Sequence, residues 1–204
     1  MRHTQIVNYA LYQCGWFACV LGAAWRYPWA GFGIAAALIG VHLALSSERP
    51  VEIRLVLLAT AVGAVVETFQ IAAGTYHFAS GTLSDAFPPL WLLAMWAQFA
   101  TTFRFSLRAV MLRPLPAGLF GATGGPLAFL AGERLGAVTL QPPVTYALLR
   151  LSIAWGIALV VFSLVARRVT PDGLGAGGPR YLAMRWLTPR RGVNPVESGI
   201  WRWP

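Results

Sequence analysis

Glu67 and Gln70 are the residues of this chain whose type and position most clearly indicate chemistry. Glu67 lies inside an apolar run, residues 55–73, that is long enough to cross a bilayer. Keeping a charge near the centre of a membrane helix costs roughly 2.5–3.5 kcal/mol, so such a carboxylate is usually paired, protonated or used. Because Gln70 follows three residues later, both side chains share one helical face and can share a proton or a partner.

Two interpretations of Glu67 stay open on the sequence alone. In the first, Glu67 is a neutral or ion-paired contact that holds helices together, with Arg134 or Arg150 as the expected counterion. In the second, the carboxylate works in transport or catalysis by exchanging a proton or by binding a headgroup. Choosing between them requires the elements that carry these residues and their depth in the membrane.

The composition of the chain is that of a membrane protein. Of the 204 residues, 57% are hydrophobic and 11% are charged, whereas soluble domains average about 25% charged residues. Stretches of about 20 residues with few charges predict six transmembrane helices. They lie at about 6–24, 29–45, 53–75, 89–103, 115–138 and 145–166. The predicted fold class is an all-α integral membrane protein, with six transmembrane helices in one bundle and both termini cytoplasmic.

The distribution of arginine predicts the orientation of this bundle. The chain contains no lysine, and a six-helix topology places thirteen of its sixteen arginines on one side. Arg26, Arg134 and Arg150 lie on the other side. Because basic residues accumulate in cytoplasmic loops, the richer side, which carries both termini, is predicted to be cytoplasmic. Orientation and anionic headgroups account for the net charge of +9 without nucleic acid as a partner.

The chain divides into two regions by composition. Residues 1–166 form the predicted six-helix transmembrane domain, and residues 167–204 form a basic cytoplasmic tail that is rich in glycine, proline and arginine. Two interpretations of the tail are open. It lies poorly ordered against the lipid headgroups, or it docks a protein partner.

Depth in the membrane groups the polar residues into two sets. Because odd-numbered predicted helices run outwards and even-numbered ones run back, several polar residues fall at the depth of Glu67, and others fall near the inner side. The outer set is the predicted polar intramembrane cluster, Glu67, Gln70, Glu133, Arg134, Arg150 and Gln13. The inner set is Asn8, His42, Gln98, Thr101 and Arg104. Packing contacts alone explain single members such as His42 or Thr101, whose hydroxyl can bond its own backbone.

The fifth predicted helix is rich in glycine. Gly121 and Gly125 form a pair four residues apart, and Gly132 and Gly136 form another. Small residues at this spacing let membrane helices approach closely. Pro126 lacks an N–H and is expected to kink the helix and free a backbone carbonyl. Tight packing explains the pattern, and the alternative is a break that lines a cavity.

Other residue types add little chemistry. The aromatic residues near 76–88, together with Trp91 and Trp96, are predicted to lie at the membrane interface. The three histidines are scattered, and the chain has no CxxC motif, no HxxxH motif and no phosphate-binding glycine loop. No metal and no cofactor is therefore predicted.

Four stretches of the chain together form a recognisable pattern. The stretches are Val7-Asn8 with Gln13 and Trp16-Phe17, Pro89-Leu90-Trp91-Leu92-Leu93 with Trp96, Phe99-Ala100-Thr101-Thr102 with Ser106-Leu107, and Gly124-Gly125-Pro126-Leu127-Ala128 with Gly132 and Arg134-Leu135-Gly136-Ala137. They resemble domain of unknown function 2878, a bacterial inner-membrane family. They cover about residues 5–166 and leave out the tail. The resemblance implies a multi-pass protein of the bacterial inner (plasma) membrane without an established activity. It also implies a gene neighbourhood of fatty-acid-modifying enzymes, which favours membrane-lipid metabolism.

Three classes of function remain. The preferred hypothesis is an accessory or lipid-metabolism-linked membrane protein with a polar site around Glu67. The alternative is a small proton-coupled transporter or a lipid-modifying membrane enzyme that uses the same site. The third class is a sensor that acts through the tail. The expected partners are membrane lipids, with a protein partner or a second copy of the chain as further candidates. Without internal repeats, transport would require a dimer.

Overall fold

The computed structural model describes residues 2–169 and the side chains of residues 3–168. Most of the tail predicted at 167–204 therefore lies outside the described residues. The described part consists of seven helices and two short strands. In chain order these are α1 (Arg2–Ala24), α2 (Pro28–Leu45), α3 (Arg49–Ala72), β1 (Tyr76–Phe78), α4 (Leu90–Ala100), α5 (Arg108–Met111), α6 (Pro114–Arg134), β2 (Val138–Leu140) and α7 (Val144–Val169).

Five of the helices are long and apolar enough to cross a membrane, namely α1, α2, α3, α6 and α7. The helix predicted at residues 89–103 is shorter than expected. Helix α4 has 11 residues, which is about 16 Å of helix, whereas the hydrocarbon core of a bilayer is about 30 Å thick. The chain is thus a helical, multi-pass membrane protein, although α4 alone does not reach across.

Helix α4 lies in the middle of the bundle, against α1, α2 and α3. Nine of its 11 residues are buried. Non-helical turns follow it from Thr101 to Leu107, where backbone N–H groups bond carbonyls three or five residues back. Irregular backbone is tolerated at membrane depth only where protein or a cavity surrounds it. Burial of Thr101 to Phe105 meets that condition and explains why the fourth helix ends early.

The two short strands are a small addition to a helical fold that agrees with the predicted all-α class. They pair antiparallel, with Tyr76 opposite Leu140 and Phe78 opposite Val138. Each strand has three residues, which is too short for an alternating pattern to stand out in the sequence. The pairing joins the chain after α3 to the chain after α6, so both helices end on the same side, here named the strand end. The opposite side, where α1 begins, is the N-terminal end.

Glycines of α6 let it pack tightly on α7. A Cβ at Gly121 or Gly125 would overlap Trp155, so this pair is a packing site, as predicted from its spacing. Pro126 provides no N–H for the carbonyl of Ala122, and Ser152 Oγ of α7 donates to that oxygen at 2.8 Å instead. The predicted free carbonyl is thereby confirmed.

The second predicted glycine pair is wrong as a helix-packing motif. Helix α6 ends at Arg134, and Gly136 lies beyond it in a turn with φ of 86°. A positive φ is a conformation that glycine adopts without steric cost. Gly136 therefore serves the turn into β2, and only Gly132 of that pair lies in a helix.

Candidate functional site

One face of α3 carries two buried carboxylates. Glu52 and Glu67 are both fully buried, and between them the same face presents Leu55, Ala59 and Gly63. The intervals of three or four residues trace one helical stripe. Fifteen residues separate the two acids, which corresponds to about 22 Å along the helix. The stripe faces α4 and the turn after it, so Glu67 meets the middle of α4 at Trp96, whereas Glu52 meets Arg104 past the end of that helix.

Glu67 is held by two uncharged donors. Its Oε1 accepts from Trp96 Nε1 of α4 at 2.9 Å, and its Oε2 accepts a hydrogen bond from the Tyr76 hydroxyl of β1. Trp96 reaches the carboxylate across Gly63, where any Cβ would overlap the indole ring. The site thus fastens three elements, α3, α4 and the strand pair, through one side chain.

The expected ion pair of Glu67 with Arg134 or Arg150 is wrong. Both arginines are exposed, and Arg150 Nη1 donates to the backbone oxygen of Ala73 at 2.6 Å. Within the described part of the chain, no salt bridge involves Glu67. The reason is the direction of the α3 stripe, which points the carboxylate towards the bundle centre while the arginines lie at its surface.

Tyr76 is the donor that lies outside the membrane helices. Its ring is 2% exposed and stacks on Phe129 with ring centroids 4.8 Å apart. Burial, followed by the neighbouring Glu67 carboxylate, raises the pKa of the Tyr76 hydroxyl well above its usual range. The hydroxyl therefore keeps its proton and acts as a donor towards Glu67.

The structure does not bring the six residues of the predicted outer cluster together. Gln70 shares the stripe with Glu67, but its Oε1 accepts from Thr75 Oγ1 at 3.1 Å. Glu133 Oε1 accepts from the backbone N–H of Leu140 at 2.8 Å and so anchors β2. Gln13 Nε2 lies on α1 and donates to the Tyr9 hydroxyl at 3.0 Å. These side chains fix separate local turns and helix faces.

The inner predicted set contains a buried ion network that the sequence analysis found only in part. Arg104 is 2% exposed and donates to Glu52 Oε1 at 2.8 Å and to Glu48 Oε2 at 2.6 Å. His42 Nε2 lies 3.2 Å from the other oxygen of Glu52. Glu48 and Glu52 were missed because they flank the start of α3, outside the apolar run. A buried arginine requires acidic partners at its own depth in the membrane. Arg104 is therefore the sequence signal from which Glu48 and Glu52 could have been found.

Asn8 closes the irregular turn after α4. Its Nδ2 donates to the carbonyl of Thr101 at 3.0 Å, and its Oδ1 accepts from both the backbone N–H and the hydroxyl of Ser106. Gln98 binds α1 in the same region, by donating to the carbonyl of Leu11 at 2.9 Å. Buried polar backbone groups need such partners. Asn8 and Gln98 therefore hold α1 against the broken fourth helix.

An apolar groove of about 230 Å³ lies between α1, α4, α6 and α7. Ten of the 25 residues that line it are aromatic and four are glycines of α6, so ring faces meet a wall without side chains. Prominent lining residues are Tyr12, Trp16, Trp96, Phe99, Gly124 and Trp155. Glu67 does not line the groove, but its donor Trp96 does. Gln13 is the one residue of the predicted outer cluster that reaches it.

Trp91 and Trp96 correct the interface prediction for the aromatic residues. Both are buried, at 3% and 1% exposure, and Trp96 stacks on Trp155 with ring centroids 4.3 Å apart. They form the groove wall instead of an aromatic belt. Helix α4 is apolar at almost every position, so its sequence has no polar face. Without a polar face, the sequence does not show whether a tryptophan ring is buried in the bundle or lies at the membrane interface.

The chemical options of these sites are narrow. Over residues 2–169, no three histidine, cysteine, aspartate or glutamate side chains are placed to hold a metal ion. The two carboxylate sites are enclosed by their donors, whereas the groove is open enough to take a guest. Recognition of an apolar molecule is the function that this geometry accommodates best.

The fold and the groove define the chain as a helical multi-pass membrane protein with an apolar groove between its helices. The chain matches the family model described as protein of unknown function (DUF2878) over residues 5–161. It therefore belongs to that family, in agreement with the resemblance found in the sequence. Neither curated proteins nor solved structures give a significant match.

Proposed function

We propose that this protein is an accessory protein of lipid metabolism in the bacterial inner membrane. We propose further that it binds the chain of a membrane lipid in the apolar groove between α1, α4, α6 and α7. The observation that carries the proposal is the groove itself, an apolar space bounded by membrane-spanning helices. In a bilayer the molecules that surround such an opening are lipids, so their chains are the occupants at highest concentration.

The dimensions of the groove suit a single chain. Along α4 its lining runs from Trp91 to Phe99, a span of eight residues or about 12 Å, and it continues past the end of the helix to Thr102. Half of the hydrocarbon core measures about 15 Å. Pockets that enclose a whole drug-sized ligand have about 300–1,000 Å³, so a volume of 230 Å³ favours one chain segment over a complete phospholipid.

Glu67 supports this function as a positioning residue. Its hydrogen bond from Trp96 fixes the indole that forms one wall of the groove. Its bond from Tyr76 ties the same wall to β1, whose Phe78 also lines the groove. The carboxylate thus holds the shape of the site without touching the guest.

Six crossings with both termini cytoplasmic form part of the proposal. Because α3 ends at the strand end and α6 begins at the N-terminal end, residues 73–113 must cross the bundle, with α4 as their main helix. The N-terminal end carries Arg49, Arg54, Arg108 and Arg113, against Arg26, Arg134 and Arg150 opposite. Arg104 is not counted in this comparison of the two ends, because it is buried in ion pairs. The remaining arginines are still more numerous at the N-terminal end, which favours a cytoplasmic position for that end.

A proton-coupled transporter or a lipid-modifying enzyme ranks second. Both would use Glu67 as a group that meets substrate, and Glu67 is separated from the groove by Trp96. The groove-binding function needs no such contact. It is therefore the function that the geometry supports best.

The groove can be filled by one substitution that meets no steric obstacle. A Cβ at Gly124 would contact only the edge of Phe120, at 3.9 Å, so Gly124→Leu projects a side chain into the groove. Gly33→Leu is the matched control, because Gly33 is exposed on α2 and has nothing within 4 Å of its Cβ position. Both purified variants are analysed by native mass spectrometry for co-purified lipid.

We expect Gly124→Leu to lower the bound lipid at least fivefold, while Gly33→Leu keeps the level of the wild type. Thermal unfolding of both variants checks that the bundle stays intact. Equal lipid in the two variants at equal stability would contradict the proposal.

A further inference from the structure

The hydroxyl and amide side chains of the groove lie at one end only. Near the N-terminal end its lining includes Tyr9, Gln13, Thr102 and Ser106, all of which carry hydroxyl or amide groups. Towards the strand end the lining is apolar or aromatic, and includes Phe78, Trp91, Phe129 and Val138. A guest with a polar head and an apolar chain therefore has one favoured direction in the groove, with its head towards the N-terminal end.

Two of these polar residues retain hydrogen-bonding capacity for a guest. Gln13 Nε2 donates to the Tyr9 hydroxyl, which leaves the Gln13 carbonyl as an acceptor and the Tyr9 O–H as a donor. The hydroxyls of Ser106 and Thr102 already donate to Asn8 and to the carbonyl of Phe99. Tyr9 and Gln13 thus present one donor and one acceptor side by side, a pair that complements a hydroxyl or a carbonyl group.

The lining carries no side chain of a type that is charged at neutral pH. None of the 25 lining residues is Asp, Glu, Lys, Arg or His. A phosphate or carboxylate drawn into this groove would lose its hydration without gaining a counterion, and uncompensated charges in apolar surroundings are strongly disfavoured. The uncharged donor–acceptor pair and the uncharged walls therefore select against anionic heads.

We propose that the groove selects an uncharged single-chain lipid, of the fatty-alcohol or monoacylglycerol class. Its hydroxyl or carbonyl group bonds Tyr9 and Gln13, and its chain runs past Trp96 towards Val138. This inference rests on the proposed function, because it names the head chemistry of the lipid that the groove binds.

Four tryptophans in the lining supply the assay, namely Trp16, Trp91, Trp96 and Trp155. Bromine atoms on a lipid chain quench nearby indole fluorescence, so brominated chains report their own binding to the full-length protein in detergent. Four probes share one brominated chain and differ only in the head. They are the alcohol, the monoacylglycerol, the fatty acid at a pH where it is ionised, and the alkane without a head.

We expect the alcohol and the monoacylglycerol to bind at least tenfold more tightly than the ionised fatty acid. The double variant Tyr9→Phe/Gln13→Leu keeps both side-chain shapes but removes the donor and the acceptor. It should bind the alcohol as weakly as the alkane, while its affinity for the alkane stays that of the wild type.

The outcomes separate this inference from the proposed function. If all four probes bind the wild type equally, or the ionised acid binds most tightly, the head selection is overturned and the groove as a chain-binding site stands. If no probe quenches the wild type more than the Gly124→Leu variant, the proposed function fails and this inference falls with it. An alkane-specific loss in the double variant would also overturn it, because the pair would then shape the groove instead of binding the head.

Discussion

The two carboxylates on the buried face of α3 are equally enclosed but are satisfied in opposite ways. Glu52, near the N-terminal end, is neutralised by Arg104 and approached by His42. Among the described residues, Trp96 and Tyr76 are the two that donate hydrogen bonds to Glu67, towards the strand end. One helix thus carries an ion network at one end and an uncharged donor cage at the other.

The difference shows what each end of the bundle does. The ion network with Arg104 clamps α2, α3 and the turn after α4 where the fourth helix breaks off. The cage around Glu67 instead orients an aromatic wall of the groove. Breaking a buried ion pair strands a charge, whereas removing one uncharged donor loses one hydrogen bond. Substitutions at the two ends should therefore differ in size and in their effect on the groove.

The largest expected effect is at Arg104. Arg104→Leu leaves Glu48 and Glu52 without their guanidinium, which should cost about 3–5 kcal/mol of unfolding free energy. Thermal unfolding in detergent measures the loss. Arg54→Leu is the matched control, because Arg54 is an exposed arginine on α3, the helix that carries Glu52. Equal melting temperatures for the two variants would show that the ion network does not stabilise the bundle.

Glu67→Gln tests the other end. The amide keeps one acceptor oxygen but presents an N–H₂ group to the second donor, so one of the two hydrogen bonds is lost, at a cost of about 1–3 kcal/mol. The variant should also change the fluorescence of Trp96 and weaken binding in the groove several-fold. The folded fraction of the Arg104→Leu variant should bind lipid in the groove with the affinity of the wild type. Unchanged groove affinity in Glu67→Gln would remove the positioning role of Glu67.

The sequence predicted the membrane class, the positions of five helices and a buried Glu67, because each depends on local hydrophobicity and on the cost of burying a charge. It also predicted that Gly121 and Gly125 pack and that Pro126 frees a carbonyl, since both follow from backbone chemistry. These features are local, so a single segment contains the information that determines them.

The partners of the buried acids could not be predicted in the same way. Whether Glu67 meets Arg150 or Trp96 depends on the azimuth of α3 relative to its neighbours, and depth alone leaves that angle open. Helix α3 shows its stripe only when Glu52, Gly63 and Glu67 are taken together. The apolar run predicts a helix that begins at residue 53, one position after Glu52, so the predicted helix leaves out one end of the stripe.

The smallest expected effect concerns the counterion that depth suggested for Glu67. Arg150 is exposed and bonds a backbone oxygen at the end of α3, so Arg150→Gln should change the unfolding free energy by less than about 0.5 kcal/mol. Glu67→Gln should change it more, as argued above. Thermal unfolding of the two single variants and of the double variant measures their coupling.

Independent sites give additive changes, and additivity within about 0.5 kcal/mol is expected here. A coupling of 1 kcal/mol or more would mean that Arg150 and Glu67 interact directly, as an ion pair does. In that case the uncharged cage would not describe Glu67, and the contrast between the two ends of α3 would vanish. Additive changes, combined with a large effect of Arg104→Leu, would strengthen the contrast between the two ends of α3. They would show that the ion pairs of the buried face lie at its N-terminal end.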